Sequence, residues 1–412
     1  MPWRDELLSR HARRKNDSHW RQRSTIESPQ GSQVVVGGKP LLNFCSNDYL
    51  GLAHHPKLIA ASVAAAENRG TGAGASHLVC GHSDLHHQLE IELADFVGAE
   101  KAIVFSTGYM ANLAIPQTFL GRGDLILEDR LNHASLIDAG RYCEASMKRY
   151  PHLNSLAVEK LLIESNAPRK LVATDGVFSM DGDIAQVGSL QTLCEKHNAM
   201  LLVDDAHGFG VLGDSGAGTL SAHDIGVGGN VLMMGTLGKA AGSFGAFVAG
   251  DAIFIESLVQ FARPYIYTTA LPPSAIAVTR AAIDLIQTEP QRREKLNQNI
   301  ELFHELIAAC PELASQTMKS PTPIHPLLIG SSTAALQASQ LLKQHGIWVT
   351  AIRPPTVPAR TARLRITLSA AHESKDIKRL VDVLASDSMK AIVAQSSKVQ
   401  HNSTDSSSQA SS

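Results

Sequence analysis

Met200-Leu201-Leu202-Val203-Asp204-Asp205-Ala206-His207-Gly208 is an apolar run that stops abruptly in two acids, a histidine and a glycine. Further on, Val231-Leu232-Met233-Met234 runs into Gly235-Thr236-Leu237-Gly238-Lys239-Ala240-Ala241-Gly242-Ser243. Each run is short, continuous and bounded by turn formers, which predicts a strand buried on both faces rather than a core helix. The same signature recurs at 102–105, 124–127, 170–174 and 245–249, with helical segments between. Such alternation predicts an α/β chain whose large domain holds a mainly parallel central sheet flanked by helices.

In open sheets of this kind ligands collect beyond the C-terminal ends of the strands. Asp204, His207 and Lys239 all fall there. A lysine on one strand exit with an acid and a histidine on another is what pyridoxal 5'-phosphate (PLP) chemistry requires. The lysine bonds covalently to the cofactor, and a carboxylate keeps the pyridine nitrogen protonated so that the ring accepts electrons. His207 suits a hydrogen bond to the ring oxygen. The cofactor's phosphate needs backbone donors at a helix N-terminus. Ser106-Thr107-Gly108-Tyr109 supplies that turn, with Gly108 allowing close backbone approach. His133, after another strand exit, can stack on the ring, and Ser179 follows the strand ending at Thr174.

The rest of the chain sorts around this centre. Residues 1–45 carry a polar helix at 3–23 and two short strands across Gly37-Gly38, and residues 46–285 form the large cofactor-binding domain. Residues 286–390 form a smaller α+β domain, and a helical connection over 276–308 breaks near Glu289-Pro290. Residues 391–412 are Ser, Gln and Asn rich and are expected to be a disordered tail.

Two motifs compete. Gly208-Phe209-Gly210-Val211-Leu212-Gly213 matches a dinucleotide fingerprint, but Asp214-Ser215-Gly216-Ala217-Gly218 is a poor helix and four residues separate the strand from the first glycine. Cys80, His82, His86 and His87 suggest a metal, with His82 and His86 on one helical face. A fourth ligand cluster is missing and 84–96 reads as an ordinary helix, so no metal is expected.

The formal net charge of −2 offers no attraction to nucleic acid or an anionic membrane, and no apolar stretch reaches membrane-span length. Five cysteines without a Cys-x-x-Cys pair read as reduced thiols. The basic N-terminus lacks the apolar core of a secretory signal, and Asp5, Glu6 and Asp17 argue against a mitochondrial leader. A cytoplasmic location is expected.

Taken in order, Ser46-Asn47-Asp48-Tyr49-Leu50-Gly51, Asn132-His133-Ala134-Ser135, Asp175-Gly176-Val177-Phe178-Ser179-Met180-Asp181-Gly182, Asp204-Asp205-Ala206-His207-Gly208 and Thr236-Leu237-Gly238-Lys239 resemble the α-oxoamine synthases. These are PLP-dependent acyltransferases of fold type I. The resemblance spans about residues 3–390. Ala351-Ile352-Arg353-Pro354-Pro355-Thr356-Val357-Pro358 and Thr361-Ala362-Arg363-Leu364-Arg365 are most similar to the biotin-pathway branch, which implies L-alanine and pimeloyl-CoA (or a pimeloyl carrier protein) as substrates.

Carried over residue by residue, the resemblance implies that Lys239 binds the cofactor covalently and Asp204 partners the pyridine nitrogen. His207 bonds the ring hydroxyl and His133 stacks on the ring. Gly108, Tyr109, Ser179 and Thr236 hold the cofactor. Arg21, Asn47 and Thr356 match substrate-contacting positions, and Arg363 is the candidate for the amino-acid carboxylate. Thr268-Thr269 resembles a stretch that reaches a phosphate across the interface of a homodimer with the active site at that interface. The chain departs from the pattern at Ala241, where a larger apolar residue is usual, at Arg360 in place of a glycine, and in its Ser-rich tail. A sibling synthase using glycine or serine is the nearest alternative. A non-catalytic subunit of the same fold is expected to lack the lysine.

Overall fold

A helix over Pro2–Asn16 opens the chain of the computed structural model, which describes residues 1–396. The helix expected over 3–23 therefore stops early. Asp17 caps it, and Ser18 turns the chain in the left-handed region at φ 56°. None of its residues is buried. Next, β1 (Gln33–Val36) and β2 (Lys39–Asn43) pair antiparallel. Gly37 and Gly38 turn between them at positive φ, which glycine adopts without a Cβ penalty. These elements belong to a unit made of residues 1–47, 180–182 and 295 onward; residues 48–179 and 183–294 make the other.

The second unit is built on seven strands, β3 (Lys101–Phe105), β4 (Leu125–Asp129), β5 (Ser146–Tyr150), β6 (Lys170–Asp175), β7 (Met200–Asp204), β8 (Val231–Thr236) and β9 (Ala246–Gly250). Their order is β3-β9-β8-β7-β6-β4-β5, and only β9 runs antiparallel to its neighbours. The mainly parallel sheet is as expected. Ile103, Leu171, Leu202, Leu232 and Val248 pack with Ala111, Ile115, Ile255 and Leu258 of the helices Gly108–Phe119 and Ala252–Phe261. Each such side chain, fully buried, stabilises by roughly 1.5–3 kcal/mol, so this layer fixes the strand ends on which the site stands.

The other unit continues with β10 (Ile324–Gly330), β11 (Ile347–Trp348), β12 (Thr350–Ile352) and β13 (Ala362–Thr367). β10, β13 and β12 form one antiparallel sheet, and β11 adds in parallel to β2. The helices Pro273–Thr288 and Gln291–Ala308 are separated at Glu289-Pro290, where Pro290 lacks the amide needed to continue the first. Residues 391–396, assigned to the tail by composition, are helical instead, and Ser396 Oγ accepts the Ser331 N–H at 2.9 Å. The rest of the expected tail lies outside the described residues. All five cysteines are free thiols. Among the described residues no helix is long and apolar enough to cross a membrane.

Candidate active site

Five strand exits of the seven-stranded unit converge on a cavity of about 200 Å³. Its lining includes Gly108, His133, Ser179, Asp204, His207 and Lys239, along with the expected Tyr109 and Thr236. The sequence-predicted cofactor residues are thus brought together by β3, β4, β6, β7 and β8, because each side chain follows a strand too apolar to leave the core.

Asp204, the last residue of β7, is the buried floor of this cavity. Its Oδ1 accepts the Ala206 N–H at 3.0 Å and its Oδ2 accepts from Asn112 Nδ2 at 2.7 Å. Asn112 also donates to Ser135 Oγ at 2.8 Å, and Ser135 Oγ lies 2.7 Å from His133 Nδ1. A hydrogen-bonded chain therefore runs Asp204–Asn112–Ser135–His133. Alongside it, Asp175 accepts the His133 N–H at 3.0 Å. Complete burial, reinforced by the neighbouring Asp204, raises the Asp175 carboxyl well above the usual carboxylate range. Burial also lowers His133, over the opposing pull of Asp204, so the imidazole stays neutral at physiological pH. His133 is the N-cap of the helix Ala134–Tyr142 as well as a wall of the cavity.

Lys239 Nζ sits 2.7 Å from His207 Nε2, and the other ring nitrogen, Nδ1, is 2.6 Å from the Tyr49 hydroxyl. His207 is thereby held between a lysine and a buried tyrosine. At the opposite end, Thr107 caps the helix Gly108–Phe119 by accepting the Met110 N–H at 3.2 Å. That leaves Gly108 and Tyr109 as first-turn amides with no acceptor inside the helix, an arrangement that favours an anion. The Tyr109 hydroxyl bonds Asp138.

These residues fit PLP by the chemistry of their donors. Helix amides suit a phosphate, a buried carboxylate suits a protonated ring nitrogen, and a neutral imidazole suits a ring face. Lysine supplies the covalent anchor. Asn112, Ser135, Asp175 and Tyr49 were not assigned roles from the sequence. Tyr49, Ser135 and Asp175 lie inside the quoted motifs, and Asn112 lies one turn beyond Gly108, so periodicity on the helix Gly108–Phe119 was the signal for it.

The first glycine of the dinucleotide-like run does something else, together with Gly176 and Gly218. A Cβ on Gly208 would lie 2.1 Å from Asp205 Oδ1, one on Gly218 1.9 Å from Asp205 Oδ2, and one on Gly176 2.7 Å from Oδ1. Asp205 is caged by these three, and accepts from Thr219 N and Oγ1 at 2.6 and 2.5 Å. The glycines are there to let a buried carboxylate pack against bare backbone.

The substrate-assigned residues lie in the other unit. Arg21 donates to Thr356 Oγ1 at 3.2 Å. Arg363 does not present its guanidinium as expected: it is buried in an ion pair with Asp181 and also donates to the Thr361 carbonyl at 3.0 Å. Arg365, two residues along β13 on the same face, is the arginine that meets Asn47, at 3.1 Å. Arg360 adopts φ 65°, the left-handed conformation natural to the glycine it replaces. Ala241 is fully buried, and the Cβ of a residue at Gly242 would strike Ala53 N at 2.5 Å, so this loop has little room for a larger side chain.

A family model described as aminotransferase class I and II matches residues 39–384. The chain belongs to the class I and II aminotransferase family. Within it, the chain is 50% identical to the 8-amino-7-oxononanoate synthase of Saccharophagus degradans over 93% of its own length and 97% of the relative's. It is 52% identical to that of Cellvibrio japonicus, covering 92% and 94%. Among solved structures, a serine palmitoyltransferase from S. paucimobilis with bound PLP–myriocin aldimine aligns at TM-score 0.87 and 31% identity, covering 94% of this chain and 98% of that one. The 8-amino-7-oxononanoate synthase of Francisella tularensis aligns at TM-score 0.72 and 32% identity, covering 84% and 97%. The backbone measure ranks the palmitoyltransferase higher and the two solved structures are nearly equal in identity, whereas half of the aligned residues are shared with the oxononanoate synthases of the sequence comparison. The fold and the PLP-dependent class expected from the motifs stand.

Proposed function

We propose that this chain catalyses the PLP-dependent, decarboxylative condensation of L-alanine with pimeloyl-CoA or a pimeloyl carrier protein, giving 8-amino-7-oxononanoate, the free thiol and carbon dioxide, in biotin biosynthesis. The observation that carries this reading is the Lys239–His207 contact at 2.7 Å above the buried Asp204, joined to the 50–52% identity with 8-amino-7-oxononanoate synthases.

When bound, PLP supplies the electron sink that accepts the charge left on the alanine α-carbon. The protein's own groups do the rest. The Gly108 and Tyr109 amides, with Ser179 and Thr236, hold the phosphate. Asp204 keeps a proton on the ring nitrogen through a charge-assisted hydrogen bond. His207 bonds the ring hydroxyl, and His133 covers one ring face. Lys239 removes and returns the proton at the α-carbon. His133 keeps water away from that carbon while the thioester carbonyl is attacked.

Arg21, Asn47 and Thr356 serve the substrates. The amino-acid carboxylate is assigned to Arg365 in place of Arg363, because Asp181 already neutralises Arg363 whereas Arg365 joins the substrate-assigned Asn47. We assign the enzyme to the cytoplasm and to a homodimer, in which Thr268-Thr269 of one copy reaches the cofactor phosphate of the other.

The test is thiol release from pimeloyl-CoA by the PLP-loaded protein with L-alanine, glycine or L-serine in parallel. Release confined to L-alanine is expected. Release with glycine or L-serine but not L-alanine would transfer the chain to a sibling synthase.

A further inference from the structure

The histidine-rich segment rejected as a metal site in the sequence is rearranged by the fold. His82 does not share a helix with His86. It lies in the link before the helix Asp84–Val97, whereas His86 is committed to the helix start, where its Nδ1 accepts the Ser83 N–H at 3.2 Å and its Nε2 meets the Leu271 carbonyl at 3.0 Å. In its place the helix brings up Glu90. His87 and Glu90 are three residues apart and so share one helical face. The ligating atoms of His82, His87 and Glu90 all lie within 4.8 Å of one another.

Each of the two inner groups is already oriented. Glu90 uses Oε1 to accept the Val104 N–H at 3.1 Å, which turns Oε2 toward His82. His82 Nδ1 lies 3.0 Å from His77 Nδ1, and His77 is itself stacked on Tyr265 with ring centroids 4.7 Å apart. That contact aims His82 Nε2 at Glu90 Oε2, 3.9 Å away. The gap is too long for a hydrogen bond. It is close to the separation of two ligands on one cation, about 3.3 Å for metal–nitrogen and metal–oxygen bonds of about 2.0–2.1 Å. A second-shell partner on a ligand histidine, as His77 is to His82, is the usual accompaniment of a metal site. His87 is exposed, and its ligating nitrogen already lies within 4.8 Å of the other two.

We propose that His82, His87 and Glu90 bind a divalent transition-metal ion of the zinc or cobalt type, distinct from the cofactor cavity. Two imidazoles and one carboxylate favour such ions over magnesium or calcium, which take oxygen ligands. The ion ties the 77–82 segment to the helix that follows it, and so acts on stability rather than on the reaction.

The experiment titrates the chelator-treated, PLP-loaded full chain with Co²⁺ and follows visible ligand-field absorption. Saturable binding in the micromolar range is expected, with intense bands of a four- or five-coordinate ion. His87→Ala and Glu90→Gln should each weaken it at least about tenfold, while Cys80→Ser leaves it unchanged. His87 is exposed, so its variant keeps the fold, and retention of the cofactor's absorbance verifies this. Absence of saturable binding, binding unaffected by His87→Ala, or binding abolished by Cys80→Ser would each overturn the proposal.

Discussion

Asp204→Asn separates the chemistry of the site from its packing. The substitution keeps size and shape but replaces one carboxylate oxygen with an amide NH₂. The remaining oxygen keeps the Ala206 N–H. The new NH₂ faces Asn112 Nδ2, donor against donor, across what is now a 2.7 Å bond. Asn112 can answer by turning its amide over, because its Oδ1 is buried with no partner among the described residues. Once turned, that oxygen accepts from the new amide, but the Ser135 hydroxyl has one hydrogen to divide between it and His133 Nδ1, and the Asn112 NH₂ moves into the unpartnered place. The cost is one buried donor left unsatisfied, about 1–3 kcal/mol, offset in part by removing the Asp204 charge that helps to raise Asp175. Turnover has no such escape. A hydrogen bond to an ionised group is worth about 1.5–3 kcal/mol against about 0.5–1.5 for a neutral one, and the difference of about 1–2 kcal/mol, realised where charge enters the ring, lowers kcat roughly 5- to 30-fold at the least. Thiol release with L-alanine measures kcat, and a thermal melt measures stability. A variant with Tm unchanged and kcat within about twofold of the parent would refute the role given to Asp204.

Lys239→Ala should lose the absorbance of the lysine-bound cofactor and all thiol release; a persistent band would place the covalent anchor elsewhere. Arg365→Gln should raise KM for L-alanine while Arg363→Gln lowers stability, since the latter leaves Asp181 buried without its cation; the reverse pattern in kinetics and melting would return the carboxylate to Arg363. His152 is lowered by burial, but Asp129 at 2.9 Å and Asp183 at 2.7 Å outweigh this and hold it up to about 10. Its folded pKa is raised, so its stabilisation is complete below the unfolded value of about 6.5 and is lost as pH rises toward 10. His152→Gln should therefore flatten the fall in Tm over that window, and an unchanged slope would discount the pair of contacts. Gly208→Ala drives a Cβ into Asp205 Oδ1 and Thr219 Oγ1 at 2.1 and 2.4 Å, with an expected loss of about 1–3 kcal/mol. Gly188→Ala, in a helix with nothing within 4 Å, should instead gain about 0.5–1 kcal/mol in denaturant unfolding.

What the sequence made legible follows from how each feature is enforced. The central strands were visible because a strand covered on both faces must be apolar throughout, as Leu201, Leu202 and Val203 are. β5 was not: Ser146-Met147-Lys148-Arg149-Tyr150 lies at the sheet edge, mostly exposed, where no apolar run is required and charge blunts further pairing. Lys239, Asp204 and His207 were legible because strand exits carry the chemistry of this architecture. Arg363 and Arg365 alternate to the same face of β13, so spacing alone gives them equal claims. The partner decides between them: Asp181 stands far away in sequence from Arg363 and pairs with it only in the folded chain.

The histidine segment shows the same limit from the other side. Its composition and a shared helical face for His82 and His86 suggested a metal, and the want of a fourth ligand cluster, with 84–96 reading as an ordinary helix, set it aside. The helix begins only at Asp84, with His86 as its reciprocal cap, so the helical spacing that joined His82 to His86 applied to the wrong pair. With His82 outside the helix, Glu90 takes the place of His86 in the set facing it. Helix boundaries are the least secure part of any sequence reading, and a ligand set read from spacing inherits that uncertainty. A hydrogen-bonded cap removes one histidine from the candidates, and a backbone contact to Val104 orients the carboxylate that replaces it. Function at such a position is decided by which polar groups the fold has already satisfied, because only those still facing one another across an open gap can share an ion.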